Sequence, residues 1–242
     1  MITGKGETGR AAAKVVLYNS NMPVLQISRQ PDALAWFDSV RGRPLLAAEQ
    51  AVVGAAMASR PTQQPWLWLA PQAPEPGTFE LPRRTLVLHR QQDGFAGSLR
   101  CGLPLPLPNE SIGNLVVQHA LDDGVDGLLD ECARVLEPGG RLWLFALNPW
   151  SPYRARWRHS GLLARDPQAW RRTLRGLGLQ AHADRVAYLG PIWRMASDPP
   201  SPAKPGSGRL RATCLLEFEK RSAALIPPAP VTRQWQAGAT PA

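Results

Sequence analysis

Few side chains in this sequence have the spacing that chemistry requires. The three cysteines, Cys101, Cys132 and Cys214, lie far apart and form no CxxC, and His89, His119, His159 and His182 share no ligand spacing, so no metal site is expected. The odd cysteine count and the lack of a secretion-type start read as reduced thiols in a cytoplasmic protein. The run NPWSPYRARWRHSGLLARD interleaves Trp150, Tyr153 and Trp157 with Arg154, Arg156 and Arg158. Alternating rings and guanidinium groups can track a phosphate backbone and stack bases, or hold an acidic or quinone-like molecule. They can equally form a helix whose rings pack while its arginines stay in water. His119 follows the apolar run NLVVQ, where it reads as a loop histidine capping a strand end. Glu49, at the edge of an apolar helix, reads as a snorkelling surface residue or as a partner for an arginine such as Arg43.

The elements that must position these residues belong to one domain. The chain has 242 residues, 44% of them hydrophobic, which suits a single substantial core with decorations. No apolar run approaches the roughly 20 residues of a membrane span. The expected organisation is a loose leader over 1–30, an α/β domain over 31–221 and a disordered tail over 222–242, with Met1 or Met22 as the start. The net charge of +9 suits nucleic acid, anionic lipid or acidic partners. An arginine-favouring, GC-rich genome accounts for the same excess. Oligomeric state leaves no trace in the sequence.

Over 36–59, Leu45, Leu46, Val52, Val53, Ala56 and Met57 form a helical stripe with Pro44 in the first turn. PWLWLAP, RRTLVLHR and NLVVQHAL read as strands, separated by the breaks PQAPEPG and QQDGFAG. SLRCGLPLPLPNES reads as an extended segment. Residues 124–137 carry apolar side chains at three and four, and Gly139 and Gly140 stop the helix. RLWLFAL is apolar on both faces, as a strand inside a covered parallel sheet must be, so 114–118, 124–137 and 141–147 form a right-handed βαβ unit. Asp166-Pro167 caps a further helix that Gly176 and Gly178 end. QAHADRVAYLGP and LRATCLLEFEKR flank the loop PPSPAKPGSG and can pair as an antiparallel edge hairpin.

LPLPNESIGNLVVQHALDD, LLDECARVLEPGGRLWLFAL and Asn148-Pro149-Trp150 together resemble the second half of a class I S-adenosylmethionine-dependent methyltransferase domain of the type 11 kind, in particular a proteobacterial subgroup. The resemblance is strongest over Arg134 to Leu144. It implies a Rossmann-like α/β fold: a mostly parallel sheet with an antiparallel edge hairpin and helices on both faces. It also implies S-adenosylmethionine as cofactor, bound at the carboxyl ends of strands 66–70, 85–89, 98–101 and 114–118. The cofactor-binding residues it points to are Ala70, Gln72, His89, Cys101, Gly102, Leu103 and Gln118. His119 would then be the catalytic base toward an unidentified methyl acceptor, with Asn148, Trp150, Tyr153 and Arg154 contacting that acceptor.

The sequence departs from the family pattern where the cofactor should lie. A family member follows its first strand with closely spaced glycines, because the backbone there must approach the ligand. Here the strand runs into Pro71-Gln72-Ala73-Pro74-Glu75-Pro76-Gly77. The second strand ends in His89-Arg90 rather than an acid, Cys101 stands where an Asp is usual, and Gly113 stands where an acid is usual. Two readings follow. One is a methyltransferase with an unorthodox cradle. The other is a non-catalytic interaction protein that has lost its cofactor, with nucleic acid as a partner for its basic segment and tail.

Overall fold

The computed structural model describes residues 33–60, 64–75, 77, 80–91, 94–182, 186–193 and 208–221. The leader 1–30, the tail 222–242 and nearly all of the loop 199–208 lie outside the described residues. Eight strands form one sheet: β1 (Trp66–Ala70), β2 (Thr85–Gln91), β3 (Gly94–Gly97), β4 (Ile112–Gln118), β5 (Leu136–Leu147), β6 (Leu179–Ala181), β7 (Ala187–Leu189) and β8 (Thr213–Lys220). Their order is β3-β2-β1-β4-β5-β8-β6, with β7 also paired to β8. The three helices are α1 (Arg43–Ser59), α2 (Leu128–Val135) and α3 (Pro167–Gly176), and a 3-10 turn, Ala33–Asp38, precedes α1.

The centre of the sheet is parallel. β1 runs beside β2, with Ala70 opposite His89, and beside β4, with Leu69 opposite Val117; β4 in turn runs beside β5. The expected adjacency of the strands near 66, 85 and 114 therefore holds, and so does the βαβ unit through α2.

Strand alternation sorts the core into two layers. Trp66, Trp68, Val116, Trp143 and Phe145 face α1 and pack on its Val53 and Met57. Leu67, Leu69, Leu115, Val117, Leu142 and Leu144 point the other way, onto Leu128, Leu129 and Cys132 of α2 and Trp170 and Leu174 of α3. Helices thus cover both faces, which is why β1, β4 and the later part of β5 are apolar at successive positions. At the other edge, β8 lies antiparallel to β5, and the short β6 and β7 pair with its two ends. This is the expected antiparallel hairpin, with its outer strand broken in two. Asp166 caps α3, accepting from the Gln168 N–H at 2.6 Å. No described helix is long and apolar enough to cross a membrane.

Two expectations need correction. Residues 98–101 form no third parallel strand. β3 comes earlier, at 94–97, and turns back antiparallel on β2, leaving Cys101 with a single bridge to Phe95. Glycine makes this hairpin close: Gly97 has φ +131°, and a Cβ there would strike the Val87 carbonyl. Second, Pro138-Gly139-Gly140 is not a turn between α2 and a later strand. β5 begins at Leu136, directly after α2, and these residues form an irregularity between the Ile112–Leu136 and Asn114–Arg141 pairings.

Arg134, the first residue of the family-like motif, acts as scaffolding. Its guanidinium donates to the carbonyls of Leu105 and Leu107, to Asn109 Oδ1 and to the Glu131 carboxylate. Glu131 also accepts the Leu105 N–H at 2.7 Å. The proline-rich segment is thereby tied to α2, and the Arg134 hydrogen bonds hold the Glu131 carboxyl below its usual range.

Candidate functional site

In an open parallel sheet, ligand chemistry belongs at the carboxyl ends of the strands. In this protein those ends are occupied by a buried polar network. β4 closes with Gln118 on the α1 side, and the chain then turns at His119, whose φ of +48° is left-handed and favours a short turn. The Asp122 N–H closes that turn on the His119 carbonyl at 3.1 Å. The turn sets the Asp122 carboxylate against one ring nitrogen, His119 Nδ1, at 2.6 Å. The other ring nitrogen, Nε2, lies 2.9 and 3.0 Å from the two carboxylate oxygens of Glu49. Glu49, His119 and Asp122 are all fully buried.

The remaining partners come from every neighbouring element. Gln118 Nε2 donates to Glu49 at 2.9 Å, and Trp68 Nε1 of β1 donates to Gln118 Oε1 at 3.2 Å. Thr213 at the start of β8 donates to Glu49 at 2.5 Å. The Leu147 N–H at the end of β5 donates to Asp122 at 3.0 Å. Phe37 stacks on the imidazole, with ring centroids 4.6 Å apart. α1 and the strands β1, β4, β5 and β8 are thus joined through one charged cluster.

Electrostatics fixes its protonation. Each ring nitrogen faces a carboxylate oxygen, which favours a proton on both. Burial alone would lower the His119 pKa; the Glu49 charge and the hydrogen bonds to Asp122 and Glu49 outweigh it, and it is pushed up to about 10. Burial raises the Asp122 carboxyl, against the lowering effect of the His119 and Leu147 hydrogen bonds. An imidazolium with both N–H groups engaged has no lone pair to accept a proton, so in this arrangement His119 holds elements together.

A second contact crosses the same end of the sheet. Arg90 of β2 pairs with Asp123 in the loop after β4 at 2.6 Å, and its guanidinium lies 5.1 Å over the Phe95 ring. β1 lies between β2 and β4, so this largely buried pair spans the end of β1, where Pro71 is buried. Arg90 Nε and Gln72 Nε2 are buried and find no acceptor among the described residues.

The other sequence-predicted residues divide by place. Ala70, Gln72 and His89 meet at the adjacent ends of β1 and β2, with Ala70 buried and the other two half-buried. Gln118 lies inside the network. Cys101 pairs on the outer side of β3, so Cys101, Gly102 and Leu103 sit beyond β3, one strand spacing of about 5 Å further out than a third parallel strand would put them. Gly102 and Leu103 are exposed. Asn148 is fully buried: its Nδ2 donates to the carbonyls of Arg209 and Arg211, both at 2.7 Å, and its Oδ1 accepts from the Trp150 N–H. Tyr153 is buried and donates to the Arg41 carbonyl, whereas Trp150 and Arg154 are exposed.

Glu49 is the residue whose role the sequence reading assigned elsewhere. It neither snorkels nor pairs with Arg43, which binds Asp38 at the surface. The available signal was its place in the i, i+4 line Leu45, Glu49, Val53, Met57, all buried.

Three local features bear on whether a cofactor can lie here. Ala70, Gln118 and His119 offer no free surface, Pro71 removes an amide donor where the cradle needs one, and β2 ends in a cation already paired with Asp123.

No protein-family model and no curated protein matches this sequence. Among solved structures the chain is similar to a SAM-dependent methyltransferase from Thermotoga maritima, at 16% identity and TM-score 0.47, covering 74% of this chain and 93% of the other. It is also similar to a SAM-dependent methyltransferase from Archaeoglobus fulgidus, at 12% identity and TM-score 0.48, covering 77% and 97%. A third is the Burkholderia thailandensis 1,6-didemethyltoxoflavin-N1-methyltransferase, solved with S-adenosylhomocysteine, at 12% identity and TM-score 0.48, covering 81% and 88%. The likeness is one of fold: a Rossmann-like α/β sheet, mostly parallel, with helices on both faces.

Proposed function

We propose that this chain is a methyltransferase-fold protein whose cofactor end has become a polar core, so that it works by binding and not by methyl transfer. The observation that carries this reading is the buried Glu49–His119–Asp122 cluster at the end of β4, where a family member would present its cofactor and acceptor groups. A ligand could reach Gln118 or His119 only by displacing charged hydrogen bonds that no solvent would replace.

A second reading, methyl transfer from S-adenosylmethionine to an unidentified acceptor, is favoured by one specific observation. Gln72 Nε2 and Arg90 Nε, near the ends of β1 and β2, are two buried donors lacking acceptors among the described residues. Its type 11 assignment and proteobacterial grouping rest on the Arg134 to Leu144 motif and the Asn148-Pro149-Trp150 sequence.

Calorimetric titration of the full chain with S-adenosylmethionine and S-adenosylhomocysteine separates the two readings. The binding reading expects no heat at about millimolar ligand, that is, a Kd weaker than about 1 mM. Saturable binding at about 10 µM would contradict the first reading and support the second.

A further inference from the structure

Among the described residues, seven large apolar side chains are exposed, and five of them, Val40, Trp150, Ile192, Trp193 and Leu210, lie on loops that hydrogen bonds join. Specific hydrogen bonds bring their loops together. Tyr153 donates to the Arg41 carbonyl at 2.9 Å, next to Val40. Ser151 donates to the Leu210 carbonyl at 2.8 Å, next to Trp150. The Ala212 N–H donates to the Pro191 carbonyl at 2.9 Å, next to Ile192. Trp150 is 67% exposed and Val40 90% exposed, so neither is a core residue that happens to reach the surface.

The charge around them is predominantly positive. From Asn148 to His159 the chain carries three arginines and no acid. Arg154, Arg156 and Arg158 are exposed beside Trp150, Arg209 is exposed beside Leu210, and Arg41 is exposed beside Val40. Asp38, the acid nearest in sequence to Val40, is paired with Arg43. The patch is therefore cationic and apolar together, and scattered single hydrophobics do not produce it.

We propose that this end of the molecule, built from residues 36–43, 148–158, 190–193 and 208–211, docks on an anionic membrane surface. Tryptophan and aliphatic side chains enter the headgroup boundary while guanidinium groups pair with lipid phosphates. Polybasic clusters add electrostatic attraction to the anionic leaflet. Three of the five apolar residues are aliphatic; they have no ring face on which to stack a base, which favours lipid over single-stranded nucleic acid. The proposal is independent of the cofactor question, because none of these side chains lies in the buried network.

The test is co-sedimentation of the full chain with vesicles. Binding to phosphatidylcholine vesicles containing about a third phosphatidylglycerol is expected to exceed binding to pure phosphatidylcholine by about tenfold or more, and to weaken as salt rises. The double variant Trp150→Ser, Leu210→Ser is expected to lose about tenfold in vesicle binding with unchanged thermal unfolding, since both side chains are already in water. Equal binding to both vesicle types, or parental binding by the double variant, would overturn the proposal. So would salt-sensitive retention on an oligonucleotide matrix without vesicle binding, which would assign the patch to nucleic acid.

Discussion

Glu49→Ala is expected to destabilise the protein by about 3–5 kcal/mol, the cost of leaving a buried charge without its partner. His119 would keep its proton contact to Asp122 but lose both Glu49 oxygens, and Gln118 and Thr213 would lose an acceptor at the same time. For a chain of this length that corresponds to a fall in Tm on the order of 10 °C. The sign of the pH dependence identifies the cause. His119 goes from 6.5 when unfolded to about 10 when folded. Its contribution to stability is therefore present in full below pH 6.5 and is lost as pH rises toward 10. The slope is at most about 1.4 kcal/mol per pH unit. The raised Asp122 carboxyl bends stability in the same direction, since the folded state holds that proton to higher pH than the unfolded state does. Denaturant unfolding at about pH 6 and pH 9 should show the parent more stable at the lower pH, with much of that difference gone in Glu49→Ala. A loss in the variant equal at both pH values would mean that Glu49 acts by packing alone.

Asn148→Ala is expected to cost about 2 kcal/mol, through the carbonyls of Arg209 and Arg211 that it leaves without a donor. The side chain ties the end of β5 to the entry of β8, and its Oδ1 also fixes the backbone before Trp150. The loss should therefore be local as well as global. Amide exchange over 148–153 and 208–212 is expected to accelerate more than exchange in β1 or β4. Asn148→Asp should be no better, because it turns a second oxygen toward the two carbonyls. An unchanged exchange pattern in Asn148→Ala would remove Asn148 from its pinning role and reopen its place in an acceptor pocket.

What could be read in the sequence was local or periodic. The continuous apolar runs WLWLA and LWLFAL, and the spacing of Leu128, Leu129, Cys132 and Val135, placed β1, β5 and α2 without reference to distant residues. The Asp166-Pro167 cap was legible for the same reason. The third strand was misplaced because Gly94 and Gly97 resemble a break, although in this hairpin glycine is what permits close pairing. The cluster was not legible because its parts meet across long stretches of chain. Glu49 is 70 residues from His119 and 164 from Thr213. No local pattern links them, and only the fourfold line through Leu45, Val53 and Met57 showed that Glu49 points inward. Phe37, which covers the imidazole, lies in a short 3-10 turn with too few residues to show a period.

A charged, solvent-excluded histidine fills the end of β4, where an open parallel sheet would leave a crevice. Nitrogen-detected NMR of ring-labelled His119 tests it most directly. Both ring nitrogens are expected to remain protonated at about pH 8, with slowly exchanging ring N–H protons and titration only toward pH 10. A neutral ring that titrates near 6.5, with rapid exchange, would contradict it, because such a histidine faces water and not two buried carboxylates.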